Sequence, residues 1–318
     1  MTTLIRPTTT GRPIFGASAI LLPLLHDAEV DWPSLDRLLQ DTRDAGLVPA
    51  ANMDTGYANL IDAATRQRVL DAAGGADFIA GVFVDDTPND RFDRDAYLRG
   101  ADAVVAAGGV PILFQSYGLT SLRDNELTAA YQSIGDAIGT FYAFELGDAF
   151  ADFGRIYSLA EYESLLEVPQ CIGAKHSSLQ RQPEWDRLAI RDRVRPDFRV
   201  LTGNDLAIDM VCDGSDYLLG LSAFFPQAFR LRDDYWARND PRFYELNDVL
   251  QYLGFFAFRS PTPAYKHSAA MFLKLRERIG SNQTYPGSPS RPDADREVLS
   301  LILDDLNRLL ASAPSTGR

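Results

Sequence analysis

Apolar runs of strand length alternate with segments of helical spacing over most of the chain, and that alternation leaves few folds open. The runs are residues 17–24, 47–53, 78–84, 110–114, 141–146, 170–175, 199–202 and 217–221. Segments 34–45, 62–73, 95–107, 125–138, 158–166, 184–194 and 205–212 carry apolar residues at helical spacing. Ser34, Asp62, Asn125 and Ser158 stand where an N-cap would accept a free backbone N–H. A helix between consecutive strands returns the chain to the same end of a sheet, so the strands run parallel. Eight is the number that closes a (β/α)8 TIM barrel.

The barrel is expected over 16–226, after a polar tail at 1–15. Farther on the strands stop, and 241–259, 262–279 and 292–310 read as three helices. They form a C-terminal helical domain over 227–310, with 311–318 as a frayed tail.

Composition removes whole classes of function. A net charge of −13 and a pI near 4.7 argue against nucleic acid as a partner, because neutralising phosphates takes a basic surface. No run approaches the roughly 18 apolar residues of a membrane helix, and the first residues lack the apolar core of a signal peptide. Cys171 and Cys212 read as reduced core thiols, which fits a cytoplasmic protein. His26, His176 and His267 lie far apart with no ligand spacing, so no metal is expected.

In such a barrel the chemistry collects where the strands end. The sixth run ends Cys171-Ile172-Gly173-Ala174-Lys175, with His176-Ser177-Ser178 behind it. An ammonium there is costly unless it is paired or gives up its proton. The neutral amine is a nucleophile toward ketones and aldehydes, through a Schiff base. Against this stands a lysine that reaches to water or sits in a structural ion pair. Other strands end in Asp54-Thr55-Gly56-Tyr57, Asp85-Asp86, Gln115-Ser116-Tyr117-Gly118, Glu145 and Thr202-Gly203-Asn204-Asp205.

These pieces, in this order, resemble the dihydrodipicolinate synthase/N-acetylneuraminate lyase family of class I aldolases. The likeness runs over residues 16–310 and rests on four stretches. They are Ile172-Gly173-Ala174-Lys175-His176-Ser177-Ser178, Leu201-Thr202-Gly203-Asn204-Asp205, Gly214-Ser215-Asp216 running to Phe225-Pro226, and Pro261-Thr262-Pro263-Ala264-Tyr265-Lys266. The resemblance implies a lysine Schiff-base enzyme with Lys175 as the imine former. It implies no cofactor beyond the covalent lysine imine, and a homotetramer or homodimer. It also makes Tyr117 a catalytic candidate and Thr55, Gly203, Asn204 and Leu219 substrate-binding ones.

Two departures bear on the reaction. Where the family has Gly-Thr-Thr-Gly-Glu, with two threonines holding a 2-oxo acid carboxylate, this chain has Met53-Asp54-Thr55-Gly56-Tyr57, and Asp54 would repel that carboxylate. Where the family has a proton-shuttling tyrosine on strand 5, this chain has Phe144-Glu145, and either residue fits the place. Tyr142 is a possible phenol from deeper in the barrel. Glu145 and Asp54 thus join the catalytic candidates. His176, the neighbour of Lys175, is expected to turn away and pack against helices. Asp85 and Asp86 read as loop solvation or a helix cap, Lys266 as structural. Tyr252, Phe255, Phe256 and Phe258 read as helix packing or a subunit contact.

With two carboxylates near the lysine, the expected substrate is a small keto sugar or 2-oxo sugar acid, cleaved or dehydrated by a class I lyase. The alternatives are a dihydrodipicolinate synthase-type condensation of pyruvate with an aldehyde, or a non-catalytic metabolite binder.

Overall fold

The computed structural model describes residues 7–148 and 150–313; of the expected tails 1–15 and 311–318, residues 1–6 and 314–318 lie outside the described residues. Eight parallel strands close into a barrel in chain order: β1 (Gly16–Ala19), β2 (Val48–Ala51), β3 (Ile79–Val82), β4 (Val110–Leu113), β5 (Phe141–Leu146), β6 (Cys171–Ser177), β7 (Arg199–Thr202) and β8 (Asp216–Leu219), which pairs back on β1. Around them lie α1 (Trp32–Asp44), α2 (Ala63–Ala73), α3 (Arg94–Ala106), α4 (Tyr117–Ser121), α5 (Asp124–Ile138), α6 (Leu159–Glu167) and α7 (Arg181–Val194). Four more helices follow: α8 (Pro226–Ala237), α9 (Arg242–Ala257), α10 (Tyr265–Leu275) and α11 (Asp295–Ala311).

Some local expectations change. Asp31, not Ser34, caps α1, accepting from the Ser34 N–H, while the Ser34 hydroxyl donates to the same carboxylate. Asp62 caps α2, and Ser158 caps α6 in a reciprocal box with Glu161. Asn125 is no cap, because α5 already begins at Asp124. Segment 205–212 forms a 3-10 turn over Ile208–Asp213 in place of an α-helix. Helix α8 has no counterpart among the segments read from periodicity. Its buried side includes Arg232 and Asp233 beside Phe229 and Trp236, so charged residues break the apolar spacing.

The barrel interior is filled unevenly. Ala17, Ala19 and Ala50 supply small side chains on β1 and β2, and Tyr142 and Phe144 supply large ones on β5. The interior is therefore packed through its lower layers and opens at the C-terminal ends of the strands.

One irregularity sets the direction of the key side chain. Between β5 and β6, Phe141 pairs with Cys171 but Tyr142 pairs with Gly173, so Ile172 is an extra residue in β6. Cys171 faces the helices. Strict alternation from it would also turn Lys175 toward the helices; the bulge turns it inward instead.

Candidate active site at the barrel mouth

Lys175 comes up from β6 into a pocket of about 760 Å³, open mouth included, at the C-terminal end of the barrel. Its Nζ donates to Ser177 Oγ at 2.8 Å and lies 4.1 Å from the centre of the Phe144 ring. Burial disfavours the ammonium more strongly than the charges of Asp205 and Asp54 favour it, and the pKa falls from 10.5 to about 8. A shift of that size leaves roughly a few hundredfold more free amine at neutral pH than an unperturbed lysine has.

Asp205 lines the same pocket. Burial pushes its carboxyl up to about 7, against the Leu221 N–H that donates to it at 2.8 Å and the charge of Lys175. An acid and an amine that change state within one unit of each other can hand protons back and forth near neutral pH.

The opposite rim is tied to the C-terminal helices. Tyr265 and Lys266, at the start of α10, reach over the short 3-10 turn Asp54–Gly56 that follows β2. The Lys266 ammonium pairs with Asp54 at 2.9 Å, and the Tyr265 hydroxyl donates to the other carboxylate oxygen at 2.9 Å. That donation leaves Tyr265 to accept from Thr55 Oγ, also at 2.9 Å. Burial keeps the Tyr265 phenol protonated, its pKa raised well above the ordinary value.

Of the residues expected at the site, the pocket brings together Lys175, Asp54, Thr55 and Gly203. Gly203 is there for space. A β-carbon on it would lie 2.8 Å from the Lys175 amine and 2.1 Å from Ser177 Oγ.

Four others lie elsewhere. Glu145 faces outward, between barrel and helices, fully buried. There it accepts from Arg187 Nε at 2.7 Å and Nη2 at 2.6 Å, from the Tyr157 N–H, and from His176 Nδ1 at 2.9 Å. Burial alone would raise its pKa, but Arg187 and then His176 outweigh it and hold the carboxyl down at about 2. This carboxylate is a structural anchor, and no proton donor to the pocket. Phe144 takes the inward place on β5, and Tyr142 is bonded lower in the barrel by Arg199. Tyr117 does not line the pocket; its ring packs edge-on against Phe153, 5.8 Å away, while Asp86 accepts from the N–H groups of Tyr117 and Gly118 at the start of α4. Asn204 holds its own turn, accepting from the Leu206 N–H and donating its backbone N–H to Thr202 Oγ. The Leu219 side chain packs in the helix-facing core, and its carbonyl accepts from Ser222 Oγ at 3.1 Å.

Sequence reasoning did not place Ser177, Asp205 or Tyr265 at the site, and it read Phe258 as helix packing or a subunit contact, whereas Phe258 lines the pocket. Ser177 was open to detection, since it lies two residues beyond Lys175 and so on the same face of β6. Asp205 ends the Leu201-Thr202-Gly203-Asn204-Asp205 stretch. Tyr265 meets Thr55 across 210 positions of chain, and Phe258 stacks on Tyr265 at 4.3 Å; no local pattern signals either.

Two substitutions separate structure from chemistry. Glu145→Gln strands Arg187 in the interior and is expected to cost about 3 kcal/mol, read as a lowered urea midpoint at neutral pH. Because folding lowers the Glu145 pKa from 4.5 to about 2, its stabilisation is present above about pH 4.5 and fades as pH falls toward 2. The loss caused by the variant should shrink across that window. Gly203→Ala should keep the fold by circular dichroism yet lower carbonyl trapping at Lys175 by tenfold or more, roughly the effect of a misplaced nucleophile.

No family model matches the chain. Among curated proteins it is similar to a 4-hydroxy-tetrahydrodipicolinate synthase from Kosmotoga olearia, 24% identical over 217 residues that span 64% of this chain and 69% of the relative. Among solved structures it resembles dihydrodipicolinate synthase from Rhodopseudomonas palustris, with a TM-score of 0.76 and 19% identity over 94% of this chain and 99% of that one. It also resembles YagE from E. coli K12, a prophage protein of the dihydrodipicolinic acid synthase family in complex with pyruvate; there the TM-score is 0.77 and the identity 16%, over 92% of this chain and 98% of that one. The solved structures establish the fold, a TIM barrel with C-terminal helices, and the curated relative adds a link in sequence. On these grounds the chain is similar to dihydrodipicolinate synthases in fold and, at 24% identity, in sequence.

Proposed function

We propose that the protein is a class I lyase in which Lys175 forms a Schiff base with a small carbonyl substrate. One observation carries this reading: the Lys175 amine opens into the pocket at the barrel mouth and is biased toward its neutral form. The imine itself is the electron sink, so the reading requires no metal and no organic cofactor.

Asp205 is the proton carrier in this reading. The Lys175 lone pair adds to the carbonyl carbon, one amine proton moves to the carbonyl oxygen, and that oxygen leaves as water with a second proton from Asp205, which gives the iminium. In an aldol cleavage the β-hydroxyl proton then passes to the Asp205 carboxylate as the Cα–Cβ bond breaks. That bond's electrons flow into the iminium and give an enamine. Asp205 returns the proton to Cα, and water then frees the ketone and the neutral amine, its released proton going back to Asp205.

The sugar substrate expected from sequence rested on two carboxylates beside the lysine; Glu145 is not one of them, and Asp205 stands beside Asp54 in its place. A pyruvate condensation calls for a carboxylate clamp; here Thr55 is engaged by Tyr265, and Asp54 stands where the family has its other threonine. Both points favour a carbonyl substrate other than pyruvate. Association into a homodimer or homotetramer belongs to the same proposal, supported by the apolar surface that Tyr252 and Phe255 leave exposed on α9.

The test is reductive trapping with cyanoborohydride across a panel of ketones, followed by peptide mapping. The chain has three lysines, Lys175, Lys266 and Lys274, so assignment is direct. The adduct should map to Lys175 and vanish in Lys175→Ala. Adducts that survive that substitution, or a chain that binds metabolites but traps and turns over none, would rule the lyase reading out. Trapping should rise with pH through about 8 as the amine loses its proton. In Asp205→Asn the midpoint should move lower, because a charge that favours the ammonium is gone.

A further inference from the structure

The walls of the pocket say more about the substrate than its polar groups do. Six phenylalanines line it: Phe83, Phe114, Phe144, Phe150, Phe153 and Phe258. They come from different strand ends, from the loop after β5 and from the end of α9, so no single helix or strand pattern produced the cluster. The rings support one another edge-on or tilted. Phe114 meets Phe144 at 4.9 Å, and Phe83 meets Phe114 and Phe153 at 6.3 Å each. Phe258 is fixed by stacking on Tyr265.

Apart from Asn59 at the exposed rim and Asp205, the polar groups of the pocket are engaged. Ser177 takes the lysine bond, Thr55 and Asp54 are tied to Tyr265, and Lys266 is paired with Asp54. A polyhydroxylated chain would lay its hydroxyls against phenyl rings that offer no partner, and each unpaired hydroxyl costs free energy. A carboxylate on the substrate would meet Asp54 and Asp205, both pocket-lining, with the nearby Lys266 already taken. A flat apolar group is what such walls accept.

We propose that the site acts on uncharged carbonyl compounds bearing an aryl or similarly flat apolar group, with β-hydroxy-β-aryl ketones as the cleavable form. This rests on the Schiff-base reading and narrows its substrate class. For such a ketone the cleavage above gives an aryl aldehyde and a methyl ketone, with Asp205 carrying the β-hydroxyl proton to Cα and no oxidant or reductant involved.

The experiment compares four probes on the full chain under cyanoborohydride: benzylacetone, acetone, pyruvate and dihydroxyacetone, with the adduct mapped to Lys175. Benzylacetone should label at a concentration about tenfold or more below that of acetone, since burying a phenyl group is worth at least that factor. Phe153→Ser should narrow the ratio of benzylacetone to acetone labelling a few-fold, and an unmoved ratio would count against the aryl wall. The aldol of acetone and benzaldehyde should release benzaldehyde with the intact protein and not with Lys175→Ala. If pyruvate or dihydroxyacetone labels Lys175 as well as benzylacetone does, the substrate class is wrong and the lyase reading stands. If none of the four labels it, the Schiff-base reading fails and this inference goes with it.

Discussion

An amine enclosed by phenyl rings, with two carboxylates in its field, is the electrostatic arrangement on which the site depends. Water is the best solvent for an ammonium, and the barrel mouth replaces much of it with Phe144 and its neighbours. Asp205 and Asp54 restore part of the lost stabilisation but not all of it. The balance is what makes the lysine useful: fully compensated it would remain an inert cation, and uncompensated it would lose the acid partner that its own charge helps to ionise.

The rest of the fold serves to hold that balance in place. The bulge at Ile172 aims Lys175 inward, and Gly203 leaves room for the amine. On the other side of the strands, Glu145 and Arg187 form a buried pair that joins β5 to α7 and takes in His176, the residue next to the nucleophile. Adjacent positions on β6 thus do opposite work, His176 anchoring the outer layer and Lys175 facing the cavity. The C-terminal helices are part of the site as well. Through Tyr265 and Lys266 they neutralise Asp54, the residue that departs from the family pattern, and their hydrogen bonds engage Thr55 with it.

Much of this was legible in the sequence. Eight apolar runs with helices between them are enough for a closed parallel barrel, and a lysine ending the sixth run marks the chemistry. The facing of individual strand residues was harder. Alternation says that Phe144 and Glu145 point opposite ways, but not which one points inward until an anchor is known, and the buried Arg187 that decides it lies 42 positions along the chain. The bulge in β6 is equally silent, because Ile172 is as apolar as its neighbours. Helix α8 escaped because its buried face carries Arg232 and Asp233, whose mutual pairing makes them acceptable inside but hides the period. The aromatic lining was invisible for a different reason: its members are near in space and far apart in sequence.

The central claim is that Lys175 titrates near neutrality. Isotope labelling of the lysine side chains gives three ε-carbon signals, and the one lost in Lys175→Arg can be followed through a pH titration. The account requires a midpoint near 8, about where burial and the two carboxylates leave it. A midpoint at the ordinary 10.5 would mean that the amine keeps its proton in the pocket, and the chemistry assigned to it would be wrong.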